Sequence, residues 1–137
     1  MKTSDCKFIS LNNFLDHRGK LTIIESGRNI PFEIKRVYFI TPTDFTAKRG
    51  CHAHKNLLQL IVPINGAFSV SLDDGICKTT HQLTDPTQGL LIQKMIWREI
   101  YNFTENATCL VIASQHYDAN DYIYSNENFK RLASIND

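Results

Sequence analysis

The chain has 137 residues, of which 42% are hydrophobic and 21% are charged, and its formal net charge is +1 at pH 7. This length and composition predict one compact domain over residues 1–137 with a single apolar core. A charge so close to zero excludes the broad basic surface that nucleic acid or an anionic membrane would need, so we expect neither as a partner.

The predicted elements are strands, rich in Val, Ile, Thr and aromatic residues. In chain order they cover residues 20–26, 34–42, 57–64, 67–72, 76–83, 89–93, 96–103 and 108–114. Asn65-Gly66 and Asp73-Asp74-Gly75 predict tight hairpin turns, because Asn, Asp and Gly tolerate positive φ. Strands at this spacing predict an all-β fold, an antiparallel β-barrel or jelly roll.

The last predicted element is a short C-terminal helix over residues 126–133. Either Asn126 or Ser125 would cap its first turn. No apolar segment approaches the ~20 residues of a membrane span, and the first residues lack the apolar stretch of a secretory signal. The four cysteines form no CxxC pair, and a reducing cytosol keeps such thiols free, so we expect a cytoplasmic protein.

Two histidines, His52 and His54, lie one residue apart in a predicted strand or at its start. Successive strand side chains alternate between faces, so both imidazoles should project to one side while Cys51 and Ala53 point away. A catalytic pair of Cys51 and His52 is therefore not expected. In a small barrel the interior face is where a ligand is held.

The spacing of the two histidines resembles the cupin superfamily, whose metal-binding members add a glutamate a few residues later and another histidine on a later strand. Here Gln59 stands in place of the carboxylate, and residues 89–103 contain no histidine. The other histidines lie outside the expected strand context: His17, His81 and His116. Two imidazoles are fewer than the three protein ligands of a typical catalytic zinc or iron site.

We therefore expect no metal and no other cofactor, and we expect His52 and His54 to act as acid and base. An unperturbed imidazole has a pKa of about 6.5, which suits proton transfer near neutral pH. Two hydrogen-bonded structural histidines are the alternative.

Five segments in fixed order carry a wider resemblance: DHRGKL, IKRVYFI, RGCHAHK, IWREIYNF and YDANDYI. Together they resemble the dTDP-sugar 3,4-ketoisomerases, a metal-independent group of cupins, over residues 7–131. The resemblance implies conversion of dTDP-4-keto-6-deoxyglucose into a dTDP-3-keto-6-deoxyhexose, without a cofactor. This step leads to 3-amino-3,6-dideoxysugars of bacterial surface glycans, including lipopolysaccharide. The resemblance also implies a homodimer that exchanges N-terminal strands.

The same resemblance implies roles for individual residues. His54 would remove the proton from carbon 3, with His52 as its partner and an enediol as the intermediate. Tyr38 matches a pocket position that hydrogen-bonds a sugar oxygen.

Several cations would bind substrate by stabilising enolate or diphosphate charge: Arg18, Arg49, Lys55 and Arg98. Of these, Arg18 and Arg98 are also expected to shape which face of carbon 4 is protonated. The sequence leaves the gluco or galacto configuration of the product open.

Two other functions compete with the isomerase. A dTDP-sugar epimerase of the related cupin type abstracts protons beside the same 4-keto group, but usually pairs one histidine with a tyrosine in a longer chain. A non-catalytic cupin would bind a nucleotide sugar in the same pocket without turnover.

Overall fold

The computed structural model of the chain describes residues 1–135 and contains two five-stranded antiparallel sheets and a separate two-stranded hairpin. The strands are β1 (Lys7–Ser10), β2 (Asn13–Asp16), β3 (Gly19–Thr22), β4 (Arg36–Ile40), β5 (Arg49–His54), β6 (Gln59–Asn65), β7 (Phe68–Asp73), β8 (Lys78–Leu83), β9 (Gln88–Ile92), β10 (Trp97–Tyr101), β11 (Thr108–Ala113) and β12 (Tyr122–Ile123). The sheet orders are β1-β9-β6-β11-β4 and β12-β5-β10-β7-β8, and β2 pairs with β3. The prediction of an antiparallel barrel or jelly roll is confirmed.

The main core lies between the two large sheets, because alternate residues of each sheet point inward. On β7, Phe68, Val70 and Leu72 face the core, and Cys109 and Val111 meet them from β11. Burying each large apolar side chain stabilises the fold by about 1.5–3 kcal/mol. This packing holds rigid the strands that carry the polar residues of the interior.

A C-terminal helix, α1 (Asn126–Ile135), covers the second sheet near β12. The predicted cap is Ser125, since its hydroxyl accepts a hydrogen bond from the Asn128 amide at 3.1 Å. Phe129 and Ala133 lie one turn apart on the buried face of α1, where they pack with Ala53. The helix thereby holds β12 against β5, and ends two residues beyond its predicted end.

The N-terminal region departs most from the sequence prediction. Strands β1 and β2 were not predicted because their residues are mostly exposed and lack a clear alternation of polar and apolar positions. The predicted strand 20–26 ends at Thr22. No helix among the described residues is long and apolar enough to cross a bilayer.

Candidate active site

A β-bulge on β5 orients the histidine pair. Arg98 of β10 pairs with His52 and Glu99 pairs with Gly50, so Cys51 is an extra residue on β5. Gly50 has φ 80° and Cys51 has φ 54°. A Cβ on Gly50 would lie 2.9 Å from the Arg98 carbonyl oxygen, so this close approach of two strands requires glycine.

The two imidazoles contact each other through their Nε2 atoms, which are 3.1 Å apart. His52 Nδ1 donates to the Gly50 carbonyl oxygen at 2.8 Å, and His54 Nδ1 donates to Asp121 Oδ2 at 3.0 Å. Both partners of the Nδ1 atoms are acceptors, so the neutral rings carry their protons there. With the Nδ1 protons so placed, the two Nε2 lone pairs face each other at 3.1 Å, a contact that one added proton turns into a hydrogen bond between the rings. The prediction that both rings share one side of the strand is confirmed.

Asp121 is a buried carboxylate that the sequence analysis did not identify as a site residue. It lies in a 3-10 turn, Ala119–Asp121, directly before β12. Its Oδ1 accepts a hydrogen bond from the Asn56 amide at 2.9 Å, and its backbone oxygen accepts one from the Lys55 amide at 2.9 Å. These bonds fix the carboxylate beside His54, although 67 residues separate them in sequence.

Both imidazoles have pKa values below that of free histidine. Burial is the main cause for each ring, and the positive charge of Arg98 adds to it, which lowers the pKa of His52 to about 4. The pKa of His54 is lowered for the same two reasons and by the proximity of His52. At neutral pH both rings are therefore neutral and able to accept a proton.

Arg98 is buried directly behind His52. Its NH1 donates to Gln59 Oε1 at 2.6 Å, and its NH2 donates to the Ile96 carbonyl oxygen at 2.7 Å. Burial lowers the pKa of Arg98 to about 10, which still leaves the guanidinium charged at neutral pH. No carboxylate in the described part of the chain forms an ion pair with it. The site thus contains a fixed positive charge without a direct counter-ion.

Tyr38, on β4, is connected to this charge through Gln59. The Gln59 Nε2 atom donates to the Tyr38 hydroxyl oxygen at 3.2 Å. Burial raises the pKa of Tyr38, so the phenol is protonated at neutral pH. Tyr38, Gln59 and Arg98 therefore form one hydrogen-bonded chain beside the histidine pair.

An aromatic surface flanks the pair on the side of β12. The Tyr122 ring lies 4.3 Å from that of His54 and 4.9 Å from that of His52, centroid to centroid. Tyr124 stacks on Tyr122 at 5.3 Å with an interplanar angle of 13°. The Tyr117 ring also contacts that of Tyr122, at 5.7 Å between centroids. Because Tyr117 and Tyr124 are largely exposed, this surface is open to a planar ligand.

Arg36 is a second arginine that the sequence analysis did not select. Its guanidinium carbon lies 5.4 Å from the centroid of the Tyr38 ring and 5.6 Å from that of Tyr117. The Arg36 Nε atom is buried without a hydrogen-bond partner in the described residues. The sequence offered no pattern that distinguishes Arg36 from an ordinary strand cation.

The four predicted substrate-binding cations occupy different places. Arg98 lies at the histidine pair, but it is buried and contacts protein groups. Arg18 lies at the turn between β2 and β3, where its side chain is 79% exposed and pairs with Asp16 at 2.7 Å. Arg49 is exposed at the start of β5, and Lys55 lies just beyond the end of β5, where it is also exposed. Within one chain, the structure does not bring these last three side chains to the pair.

The donor set fits a divalent metal poorly. The position that a carboxylate would occupy is taken by Gln59, whose oxygen is already bound to Arg98. A metal ion there would also be repelled by the buried guanidinium. No three His, Cys, Asp or Glu side chains within residues 1–135 are grouped as a metal site.

Two antiparallel sheets that enclose a hydrogen-bonded histidine pair define a cupin-like barrel. The family model described as "WxcM-like, C-terminal" (FdtA) matches residues 4–134. A TDP-4-oxo-6-deoxy-alpha-D-glucose-3,4-oxoisomerase of Aneurinibacillus thermoaerophilus is 43% identical over 131 residues, which cover 95% of this chain and 94% of that protein. The chain belongs to the TDP-sugar 3,4-ketoisomerase family.

Solved structures agree with this assignment. QdtA, a sugar 3,4-ketoisomerase from Thermoanaerobacterium thermosaccharolyticum in complex with TDP, superposes with a TM-score of 0.95 at 37% identity, over 98% of each chain. The WlaRB TDP-quinovose 3,4-ketoisomerase from Campylobacter jejuni superposes with a TM-score of 0.88 at 43% identity, over 93% of this chain and 98% of that one.

Proposed function

We propose that this protein is an intramolecular oxidoreductase that converts dTDP-4-keto-6-deoxyglucose into a dTDP-3-keto-6-deoxyhexose. The observation that carries the proposal is the pair of facing Nε2 lone pairs, fixed because both Nδ1 atoms donate to protein acceptors. The family membership supplies the substrate class. Neither a redox cofactor nor a metal is needed, since the carbonyl and the adjacent alcohol exchange places by proton transfers alone.

The reaction has three proton movements. A base removes the proton on carbon 3, which the neighbouring 4-ketone acidifies, and negative charge develops on the oxygen at carbon 4. The hydroxyl proton of carbon 3 then moves to that oxygen, which gives the enediol as its monoanion, with the negative charge on the oxygen at carbon 3. Protonation of carbon 4 by the conjugate acid of the base then gives the 3-ketone.

His52 and His54 suit these transfers because either Nε2 atom can take a proton and share it at once with the other at 3.1 Å. His54 is fully buried, whereas His52 is half-buried. This difference favours His52 as the ring that meets carbon 3, and His54 as the ring behind it. The order is the reverse of the one that the family resemblance implies.

The charge that develops on the sugar oxygens is stabilised from the protein interior. Arg98 is a permanent cation with no carboxylate partner, and it lies in register with His52. Such a preorganised charge in a low-dielectric site favours an enediolate more than it would in water. Tyr38 contributes a neutral hydroxyl that can donate to a sugar oxygen. The open aromatic surface of Tyr117 and Tyr124 offers a place for the nucleotide base.

We also infer a homodimer in which the β2–β3 hairpin of each copy packs on the other. Within the described residues, β2 and β3 pair with each other alone, and the hairpin exposes 64% of Phe14, 74% of Leu15 and 63% of Leu21. Apolar side chains in such a group normally mark a protein interface. Exchange of the hairpins would carry Arg18 towards the site of the second copy, where it could bind substrate.

The dimer is tested by sedimentation of Leu15→Asp, which should shift the protein from dimer to monomer. Ile76→Asp is the matched control, since Ile76 is equally exposed but lies at the turn between β7 and β8. A wild-type protein that sediments as a monomer would contradict this assembly.

The four cysteines are free, which is consistent with a reducing compartment, and we place the reaction in the cytoplasm. Its 3-keto product is the class of compound that an aminotransferase converts into a 3-amino sugar.

The decisive experiment follows the protons of carbons 3 and 4 by NMR, with purified protein and dTDP-4-keto-6-deoxyglucose in deuterium oxide. We expect deuterium incorporation and a 3-keto product, both abolished in His52→Asn and retained in the control His81→Asn. Exchange at carbons 3 and 5 without a 3-keto product would indicate an epimerase. If the substrate binds but no deuterium exchange occurs at either carbon, the protein binds the nucleotide sugar without turnover.

A further inference from the structure

We propose that Gln59 is a positioning residue that orients the Tyr38 hydroxyl so that its proton points to the substrate. The inference deepens the proposed function and rests on it. In this role, Gln59 replaces the metal-binding carboxylate of other cupins with a group that controls the direction of a hydrogen bond.

The first step is the orientation of the Gln59 amide, which Arg98 fixes. A guanidinium has only N–H donors, so the Gln59 atom that lies 2.6 Å from Arg98 NH1 must be the oxygen. The amide NH₂ therefore faces Tyr38, 3.2 Å from its hydroxyl oxygen. Rotating the amide would place NH₂ against a guanidinium and would cost the buried hydrogen bond to Arg98.

The second step is the orientation of the Tyr38 hydroxyl. Because Gln59 donates to the hydroxyl oxygen, the phenolic hydrogen cannot point back towards it. No second hydrogen bond to this hydroxyl is formed within residues 1–135, so its proton remains available to a ligand. Gln59 and Arg98 are both almost fully buried, which keeps the amide from turning towards solvent.

The third step identifies the variant that reverses this arrangement. In Gln59→Glu the side chain keeps its size, and one carboxylate oxygen accepts from Arg98 and gives that buried cation a partner. The other oxygen faces Tyr38 and now accepts the phenolic proton. The variant thus keeps the packing and withdraws the hydroxyl from the substrate.

The test is a double-mutant cycle on kcat with Tyr38→Phe, Gln59→Glu and the double variant, in the presence of a chelator that removes any metal recruited by the new carboxylate. We expect each single variant to lower kcat by about 10²–10³-fold, with a smaller change in KM, in line with loss of one donor to a developing oxyanion. Because the new carboxylate also partly neutralises the Arg98 cation, the double variant should be slower than Tyr38→Phe, but by less than the product of the two single losses. Gln82→Glu, the same change on the exposed side of β8, is the control.

Two outcomes would overturn the inference. The first is that Gln59→Glu has the kcat of the wild type while Tyr38→Phe is slow. The second is that the kcat of the double variant falls by the full product of the two single losses. If Tyr38→Phe is as fast as the wild type, the role of Tyr38 in the proposed function fails as well. A wild-type protein that shows no turnover would contradict the proposed function alone.

A measurement without substrate separates these cases. Protein labelled with ¹³C at the tyrosine Cζ gives one resonance per tyrosine, and Tyr38→Phe identifies that of Tyr38. A carboxylate that accepts the phenolic proton stabilises the neutral phenol, so the titration midpoint of Tyr38 should rise in Gln59→Glu and stay unchanged in Gln82→Glu. An unchanged midpoint in Gln59→Glu would show that Gln59 does not orient this hydroxyl, whatever the substrate.

Discussion

The substitution Asp121→Asn probes the arrangement that leaves both Nε2 atoms free. Asp121 accepts two hydrogen bonds, one from the Asn56 amide and one from His54 Nδ1. An asparagine offers one oxygen in place of two. If this oxygen accepts from the Asn56 amide, its NH₂ faces His54 Nδ1, and the imidazole must move its proton to Nε2. The lone pair on His54 Nε2 is then lost.

The expected losses follow from these two contacts. A hydrogen bond to a charged group contributes about 1.5–3 kcal/mol and a neutral one about 0.5–1.5 kcal/mol, so changing both from charged to neutral should destabilise the fold by roughly 2–3 kcal/mol. For turnover, the comparable exchange of Asp for Asn behind a catalytic histidine costs about 10⁴-fold in the serine protease triad, where it imposes the wrong tautomer. We expect a fall in kcat of about 10²–10⁴-fold.

The assay combines urea unfolding with kcat, measured at a temperature where the variant is fully folded. Asp118→Asn is the control, because Asp118 lies in the same turn and accepts from the Asn120 amide, a role that asparagine can also fill. If Asp121→Asn retains kcat within about twofold of the wild type while its stability falls, the carboxylate only supports the fold, and the tautomer argument is refuted.

Three further predictions follow. His52 has a native pKa of about 4 against about 6.5 unfolded, so the unfolded chain binds more protons between these values, and His52 alone should lower stability by up to about 3 kcal/mol as pH drops from 6.5 to 4. His54, whose pKa is also lowered, adds to this loss. Urea unfolding should show the combined loss, and His52→Asn should remove the share of His52. Gly50→Ala should lower stability by about 1–3 kcal/mol, since it adds a Cβ 2.9 Å from a carbonyl oxygen at φ 80°, and a normal thermal midpoint would contradict the need for glycine. Arg98→Met should slow turnover and move the acid limb of the pH–rate profile to higher pH, because the cation lowers both histidine pKa values. An acid limb at the wild-type pH would show that the Arg98 charge does not lower the pKa of either histidine.

Much of the barrel could be predicted because its strands obey local rules. Strand β7 alternates Phe68, Val70 and Leu72 towards the core, and turn residues bound it at both ends. The placement of His52 and His54 on one side follows from the same two-residue period. Strands β1 and β2 could not be predicted, because a strand held by pairing and exposed on its faces leaves no hydrophobic pattern.

The cations show where local reasoning was incomplete. Arg98 gave no local sign that it would be buried. Its hydrogen bonds to Gln59 and Ile96 depend on how two strands pack against each other. An arginine that was predicted to bind substrate is in fact an internal charge that contacts protein groups.

The sequence by itself determined the strand pattern, the shared side of the histidine pair and, through its ordered segments, the family. Only the tertiary structure decided which nitrogen of each ring carries the proton. That choice depends on Asp121, which is 67 residues from His54, and on a carbonyl oxygen presented by the bulge at Gly50. Periodicity is a property of neighbouring residues, whereas hydrogen-bond direction is set by groups that folding brings together from distant parts of the chain.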